Sequence, residues 1–98
     1  MRMTIGLCQI EAAIGDVERN MDRTIECLDS YDADVYVFPE LFLTGYGADY
    51  SQLKEKVESS SRVLSDTCRD RDCAIVMGAP RYQEGLVYNS ILFYSPDG

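Results

Sequence analysis

The sequence predicts an α/β fold with the element order β-α-β-α-β-β. Short runs rich in β-branched and aromatic residues alternate with longer stretches in which apolar residues recur at helical spacing. A single predicted helix separates the first two runs, which is typical of a βαβ unit with parallel strands. The last connection is short, so we expect a hairpin with an antiparallel fourth strand.

Four strands are predicted, over residues 4–10, 35–38, 73–79 and 86–94. The first is mostly apolar, and we therefore expect it in the centre of the sheet. Residues 80–85 begin with Pro80 and end with Gly85, and they are predicted to form a turn-rich connection. Residues 95–98, Ser-Pro-Asp-Gly, predict a closing turn.

Two amphipathic helices are predicted, over residues 17–30 and 51–71. Asp16 follows a glycine and is suited to cap the first helix, and Asn20 is expected to serve its first turn. The stripes expected to be buried are Met21, Ile25 and Leu28 in the first helix, and Leu53, Val57, Leu64 and Cys68 in the second.

The chain is short and acidic. Its 98 residues allow one domain at most, and 17 acidic against 9 basic side chains give a formal net charge of -8. Nucleic acids and anionic membrane surfaces attract basic proteins, so neither is expected as a partner. No apolar run approaches the length of a membrane span, and the start of the chain does not resemble a signal peptide. We therefore expect a cytoplasmic location.

The four cysteines are Cys8, Cys27, Cys68 and Cys73, and the chain has no histidine. No two of them form a Cys-x-x-Cys pair, so their spacing disfavours a zinc site, and no metal is expected. For a cytosolic protein the expected state of all four is a reduced, buried, structural thiol.

Glu40 is the most unusual charged residue of the chain. It follows a predicted strand in the stretch Val-Tyr-Val-Phe-Pro-Glu-Leu-Phe-Leu-Thr-Gly-Tyr, residues 35–46. Pro39 restricts the backbone beside it, and the apolar neighbours are expected to desolvate the carboxylate and raise its pKa, as suits a general base. Alternatively, Glu40 caps the following turn or pairs with Arg81.

The segment Phe-Pro-Glu-Leu-Phe-Leu-Thr-Gly-Tyr, residues 38–46, closely resembles the first catalytic motif of the carbon–nitrogen hydrolase (nitrilase/amidase) superfamily. The resemblance continues in order along essentially the whole chain. The flanking segments that carry it are Cys8-Gln9-Ile10, Gly15-Asp16 with Asn20, residues 76–80 (Val-Met-Gly-Ala-Pro), Tyr88-Asn89-Ser90, and Asp97-Gly98.

This resemblance implies that residues 1–98 are the N-terminal part of an αββα sandwich, with about four strands and two helices on one face. It also implies hydrolysis of a small amide, nitrile or carbamoyl substrate by a Glu-Lys-Cys triad, with no metal or organic cofactor. Glu40 would be the general base. Lys54, Lys56 and the four cysteines do not match the family's lysine and nucleophile motifs, so the chain alone is expected to be inactive.

Two further residues are candidates for the site. By resemblance, Tyr46 lines the substrate pocket; alternatively, its ring packs a loop against the sheet. Asn89 would tie the hairpin to the Glu40 segment through its amide, or it makes an ordinary cross-strand hydrogen bond. Gly45-Tyr46-Gly47 lacks the glycine spacing of a phosphate loop, which disfavours nucleotide binding.

A second hypothesis is a non-catalytic half-domain, or an interaction module that another chain completes. With both helices on one face, the other face of the sheet would be apolar and uncovered. Homo-oligomerisation, or association through that face, would follow.

Overall fold

The elements follow one another in the predicted order in a computed structural model that describes residues 2–97. Met1 and Gly98, the last residue of the predicted closing turn, lie outside the described residues. The elements are β1 (Ile5–Leu7), α1 (Val17–Ser30), β2 (Val35–Val37), a 3-10 helix (Tyr50–Leu53), α2 (Lys54–Arg71), β3 (Ala74–Gln83) and β4 (Leu86–Tyr94).

The sheet has the strand order β1-β2-β3-β4. β1 and β3 both run parallel to β2, and β4 runs antiparallel to β3, as predicted. The expectation of a central first strand is wrong, because β1 is an edge strand of only three residues. Its apolar composition has another cause: Gly6 is buried, while Ile5 and Leu7 point to the opposite, uncovered face.

β3 continues well beyond its predicted end. It passes through Pro80 to Gln83, and only Glu84 and Gly85 form the turn, with φ of 51° and 78° that suit a two-residue hairpin loop. The Gly78 carbonyl accepts a hydrogen bond from the Leu43 N–H, so it faces the β2 side. The backbone polar groups of residues two apart in a strand point to the same edge of that strand. The Pro80 nitrogen therefore also faces away from β4. The missing N–H therefore costs no hydrogen bond to β4.

Both helices cover one face of the sheet, where Ile75, Met77 and Ala79 are fully buried. α2 buries Val57, Leu64 and Cys68, as predicted. The helix predicted over residues 51–71 begins as the 3-10 helix, which ends at the half-buried Leu53. The predicted stripe of α1 is shifted, because its buried residues are Val17, Asn20, Thr24 and Leu28, with Met21 and Ile25 half-buried. Two polar residues can occupy the buried stripe because their hydrogen bonds are made inside the protein.

The other face of the sheet is apolar and uncovered. Leu7, Val37, Val76 and Phe93 form one row across all four strands, each paired in register with the next. Leu7 is 65% and Phe93 64% exposed, and the two valines are half-buried. We call this side of the sheet, defined by that row, the open face.

A disulfide joins Cys8, which follows β1, to Cys27 in α1, so the expectation of four reduced thiols is wrong for this pair. The Cα atoms lie 6.7 Å apart, and the Tyr31 hydroxyl lies 3.2 Å and 3.6 Å from the two sulfurs. Cys68 and Cys73 are free and buried, as expected. Sequence spacing could not reveal the pair, because it depends on how α1 docks against β1.

Removing the disulfide should destabilise the chain. The bond joins residues separated by 19 positions, and closing a loop of this size stabilises a protein by about 3 kcal/mol. We expect Cys27→Ser, or reduction by dithiothreitol, to lower the free energy of unfolding in urea by about that amount. Dithiothreitol should not lower the free energy of unfolding of the Cys27→Ser variant any further. Detection of four reactive thiols in the denatured, unreduced chain would contradict the bond.

Candidate functional site

Glu40 lies in a loop that follows β2 and is hydrogen-bonded to β3 at both of its ends. The Phe38 N–H donates to the Val76 carbonyl at 2.9 Å, and the Leu43 N–H donates to the Gly78 carbonyl at 3.1 Å. Both ends of the excursion are thus fixed to the same neighbouring strand. We call residues 39–45 the Glu40 loop. It stands at the carboxyl end of a parallel strand, where ligands of α/β proteins commonly bind.

The Glu40 loop rests directly on Gly78. A Cβ atom at position 78 would overlap the backbone of Pro39, Glu40 and Leu41, and it would lie 2.7 Å from the Glu40 Cα. Gly78 shares its side of β3 with Val76, so the loop covers this end of the open face. Only a residue without a side chain permits this approach.

The turn after Glu40 stores backbone strain that burial offsets. Leu41 has a φ of 50°, in the left-handed region, which costs a non-glycine residue about 1–2 kcal/mol. Its side chain is only 4% exposed, and burying a leucine contributes about 1.5–3 kcal/mol. The Gly45 N–H closes the turn by donating to the Leu41 carbonyl at 2.8 Å.

Asn20 joins the Glu40 loop to the segment before α1. Its fully buried amide accepts from the Ala13 N–H at 2.7 Å and donates to the carbonyls of Ala13 and Leu43 at 2.8 Å and 3.0 Å. The Gly15 N–H also donates to the Thr44 carbonyl at 2.7 Å. From the sequence, Asn20 was expected only to serve the first helical turn. The signal for its larger role was its position on the buried stripe, three residues after Val17.

Glu40 and Tyr46 line one cleft of about 320 Å³ on this side of the molecule. We call it the Glu40 cleft, and its other lining residues are Ile10, Glu11, Ala12, Ile14, Pro39 and Phe42. Both Glu40 and Tyr46 are exposed to solvent. The desolvation expected for Glu40 is therefore wrong for this chain, because Leu41, Phe42 and Leu43 turn inward while the carboxylate points outward.

The Glu40 carboxylate has no protein partner among residues 2–97. The proposed ion pair with Arg81 does not form, because the Arg81 guanidinium donates to the Gln83 side chain at 3.0 Å and lies 5.2 Å above the Tyr88 ring. The carboxylate also accepts no hydrogen bond from the following turn, because that turn is closed by backbone-to-backbone hydrogen bonds. A proton-accepting group is thus free in the cleft.

Asn89 lies on β4 opposite Pro80, and it lines a second cleft of about 280 Å³. We call this the hairpin cleft, and its other lining residues are Leu41, Tyr46, Tyr50, Pro80, Val87 and Tyr88. Within residues 2–97 the Asn89 side chain makes neither the predicted hydrogen bond to the Glu40 loop nor a cross-strand one. Tyr46 lines both clefts, so it connects Glu40 with Asn89, which do not share a cleft.

The lysines and cysteines lie away from the Glu40 cleft. Lys54 and Lys56 are exposed on α2, and the Lys56 ammonium lies 3.1 Å from the Glu18 carboxylate. Burial raises the pKa of the Cys68 thiol to about 12 and also raises the pKa of Cys73, so both stay protonated. Among the described residues no cluster of acidic, cysteine or histidine side chains could hold a metal ion. None of the helices in residues 2–97 combines the length and apolar character needed to cross a membrane.

The sequence matches the family model described as carbon-nitrogen hydrolase over residues 4–98. The chain belongs to the carbon-nitrogen hydrolase family. The chain is 34% identical over 101 residues to an (R)-stereoselective amidase of a Pseudomonas species, an alignment that covers 98% of this chain and 37% of the amidase. It therefore spans little more than a third of that relative's length.

Solved structures share the fold of this chain. One is a glutamine-dependent NAD+ synthetase from Acinetobacter baumannii in complex with ADP, with 27% identity and a TM-score of 0.84, covering 98% of this chain and 19% of that one. Another is a glutamate-to-glutamine mutant of the amidase from Nesterenkonia sp. AN1, which shows Michael addition of acrylamide at the active-site cysteine. Its identity is 28% and its TM-score 0.69, covering 84% of this chain and 35% of that one.

Replacing Asn20 should destabilise the site far more than replacing Asn89. Asn20→Ala removes three hydrogen bonds and leaves the partly buried backbone groups of Ala13 and the buried Leu43 carbonyl without these partners, which should cost about 3 kcal/mol of unfolding free energy. Asn89→Ala is the matched control, because its amide is exposed and should change stability by less than about 0.5 kcal/mol. Equal losses in urea denaturation would show that the amide of Asn20 does not join the two segments.

The raised pKa of Cys68 should make stability fall at alkaline pH. The thiol titrates near 9.0 when unfolded and at about 12 when folded, so the folded chain retains a proton that unfolding releases. Its contribution is complete below pH 9.0 and is lost as the pH rises towards about 12. Urea denaturation should therefore show that the free energy of unfolding falls less between about pH 8 and about pH 10.5 in Cys68→Ala than in the parent. Equal losses would contradict the shift.

Proposed function

We propose that the chain is the N-terminal part of a hydrolase that cleaves non-peptide C–N bonds in amides, nitriles or carbamoyl compounds. The observation that carries the proposal is Glu40: an unpaired carboxylate in a cleft, on a loop fixed to β3 and to Asn20. Membership of the carbon-nitrogen hydrolase family and the amidase relative support the reaction class.

In this proposal Glu40 is the general base of a Glu-Lys-Cys triad. A cysteine thiol with an ordinary pKa of about 8.5 is mostly protonated at neutral pH, so it needs a neighbouring base. Glu40 accepts the thiol proton while the sulfur attacks the amide carbon, and a lysine stabilises the negative charge on the oxygen. The C–N bond then breaks, and Glu40 returns the proton to the leaving nitrogen. Water hydrolyses the thioester by the same proton path.

The lysine and the cysteine are proposed to come from sequence outside these 98 residues. Cys8 and Cys27 are joined to each other, and Cys68 and Cys73 are buried with protonated thiols. Lys56 is paired on the outer side of α2. The amidase relative is long enough to supply both groups, since this chain aligns with 37% of it.

Glu40→Gln should abolish amide hydrolysis by the full-length protein. The amide side chain keeps the shape of the carboxylate but cannot accept the thiol proton, so kcat/KM should fall by at least about 100-fold. Glu11→Gln is the matched control, because Glu11 is the other carboxylate that lines the Glu40 cleft. It should retain most activity. Full activity in Glu40→Gln would remove Glu40 from the mechanism, and turnover by the 98-residue chain alone would contradict a missing lysine and cysteine.

The open face favours a second candidate, an interaction module that another polypeptide completes. The row of Leu7, Val37, Val76 and Phe93 leaves an apolar surface that association would bury. The intact mass of the protein isolated from its own host separates the two candidates. A mass near that of the amidase relative supports the hydrolase, whereas 11.1 kDa, the mass of this chain, supports the module and a partner or second copy on the open face.

A further inference from the structure

We propose that the hairpin cleft is a subsite for an uncharged, planar apolar group of the amide substrate. The inference rests on the proposed function and adds a substrate class to it. The two clefts adjoin at Tyr46, which lines both. A substrate whose reacting carbon lies near Glu40 can therefore extend along Tyr46 into the hairpin cleft.

The lining of the hairpin cleft is apolar and uncharged. Leu41, Pro80 and Val87 supply aliphatic surface, Tyr46 and Tyr50 are aromatic residues, and Asn89 contributes a neutral amide. The Glu40 cleft, by contrast, is lined by two carboxylates. Although 27% of the residues of the chain are charged, none of them lines this cleft. The lining therefore disfavours charged ligands. The ammonium and carboxylate of an amino-acid amide such as glutamine would lose water there without gaining an oppositely charged partner among the lining residues.

The walls of the hairpin cleft are fixed before a ligand arrives. The Gly47 N–H donates to the Tyr50 hydroxyl at 2.8 Å, and the Tyr82 hydroxyl of β3 donates to the Tyr50 carbonyl at 2.5 Å. These bonds attach the segment after the Glu40 loop to the hairpin. On the other side, the backbone at Leu41 rests on Gly78. Binding an apolar group here would order little additional chain, which favours affinity.

The volume of the hairpin cleft suits one part of a substrate. At about 280 Å³ it lies just below the range of about 300–1,000 Å³ that is usual for whole drug-sized ligands. A single aromatic ring is therefore a more suitable occupant than a nucleotide. Aromatic rings also stack well on tyrosine side chains. The resulting substrate class is a small amide with an aryl or arylalkyl group.

The test compares phenylacetamide, acetamide and glutamine as substrates of the full-length protein. We expect a higher kcat/KM for phenylacetamide than for the other two. Val87→Glu places a charge in the hairpin cleft and should lower the phenylacetamide-to-acetamide ratio of kcat/KM by about tenfold or more. Val63→Glu is the matched control, because Val63 is a similarly exposed valine on α2, outside the cleft. It should leave the ratio unchanged.

The outcomes separate this inference from the proposed function. Glu40-dependent hydrolysis of acetamide or glutamine without a preference for phenylacetamide, or an unchanged ratio in Val87→Glu, would overturn the subsite and leave the hydrolase in place. Absence of Glu40-dependent turnover of all three amides would overturn the proposed function, and the subsite with it. A lower ratio in Val87→Glu with the parent's thermal stability would support the subsite.

Discussion

The close contact between β3 and the Glu40 loop is the constraint on which the site depends. Only hydrogen occupies the position where a side chain at Gly78 would stand, so the backbone of the loop can lie directly on the strand. That contact directs the loop onto the open face, and Tyr46 and the two clefts follow from it. It also explains how Leu41 can adopt a left-handed conformation, since the surrounding contacts fix the turn.

Asn20 provides the second constraint on the Glu40 loop, and it does so from helix α1. A primary amide can donate and accept at once, so one side chain satisfies backbone groups of two separate segments. An aliphatic residue at this point of the α1 stripe would fill space but leave those groups unpaired. The chain therefore uses part of its small core to position a loop, and the helix becomes part of the support of the Glu40 cleft.

Elements set by local signals were predictable from the sequence, and tertiary placement was not. The bounds of α1 and β4 match their predictions, because the capping Asp16 and the turn residue Gly85 directly precede them in the sequence. The edge position of β1, the passage of β3 through Pro80 and the Cys8–Cys27 bond all depend on neighbours remote in sequence. Within the site, Glu40 and Tyr46 belong to one short motif, whereas the exposure of Glu40 depends on how its neighbours turn inward.

Pro80 has a consequence for aggregation. Beyond Val76, β3 has no further pairing with β2, and a long unpaired edge of this kind can template the addition of a strand from another molecule. Proline interrupts the row of N–H groups along that edge, and the Leu43 N–H already occupies the Gly78 carbonyl. This stretch of β3 is thus protected against strand addition, whereas the outer edge of β4, Leu86–Tyr94, pairs with no strand among residues 2–97. Self-association that extends the sheet should accordingly add strands at β4 and not along this stretch of β3.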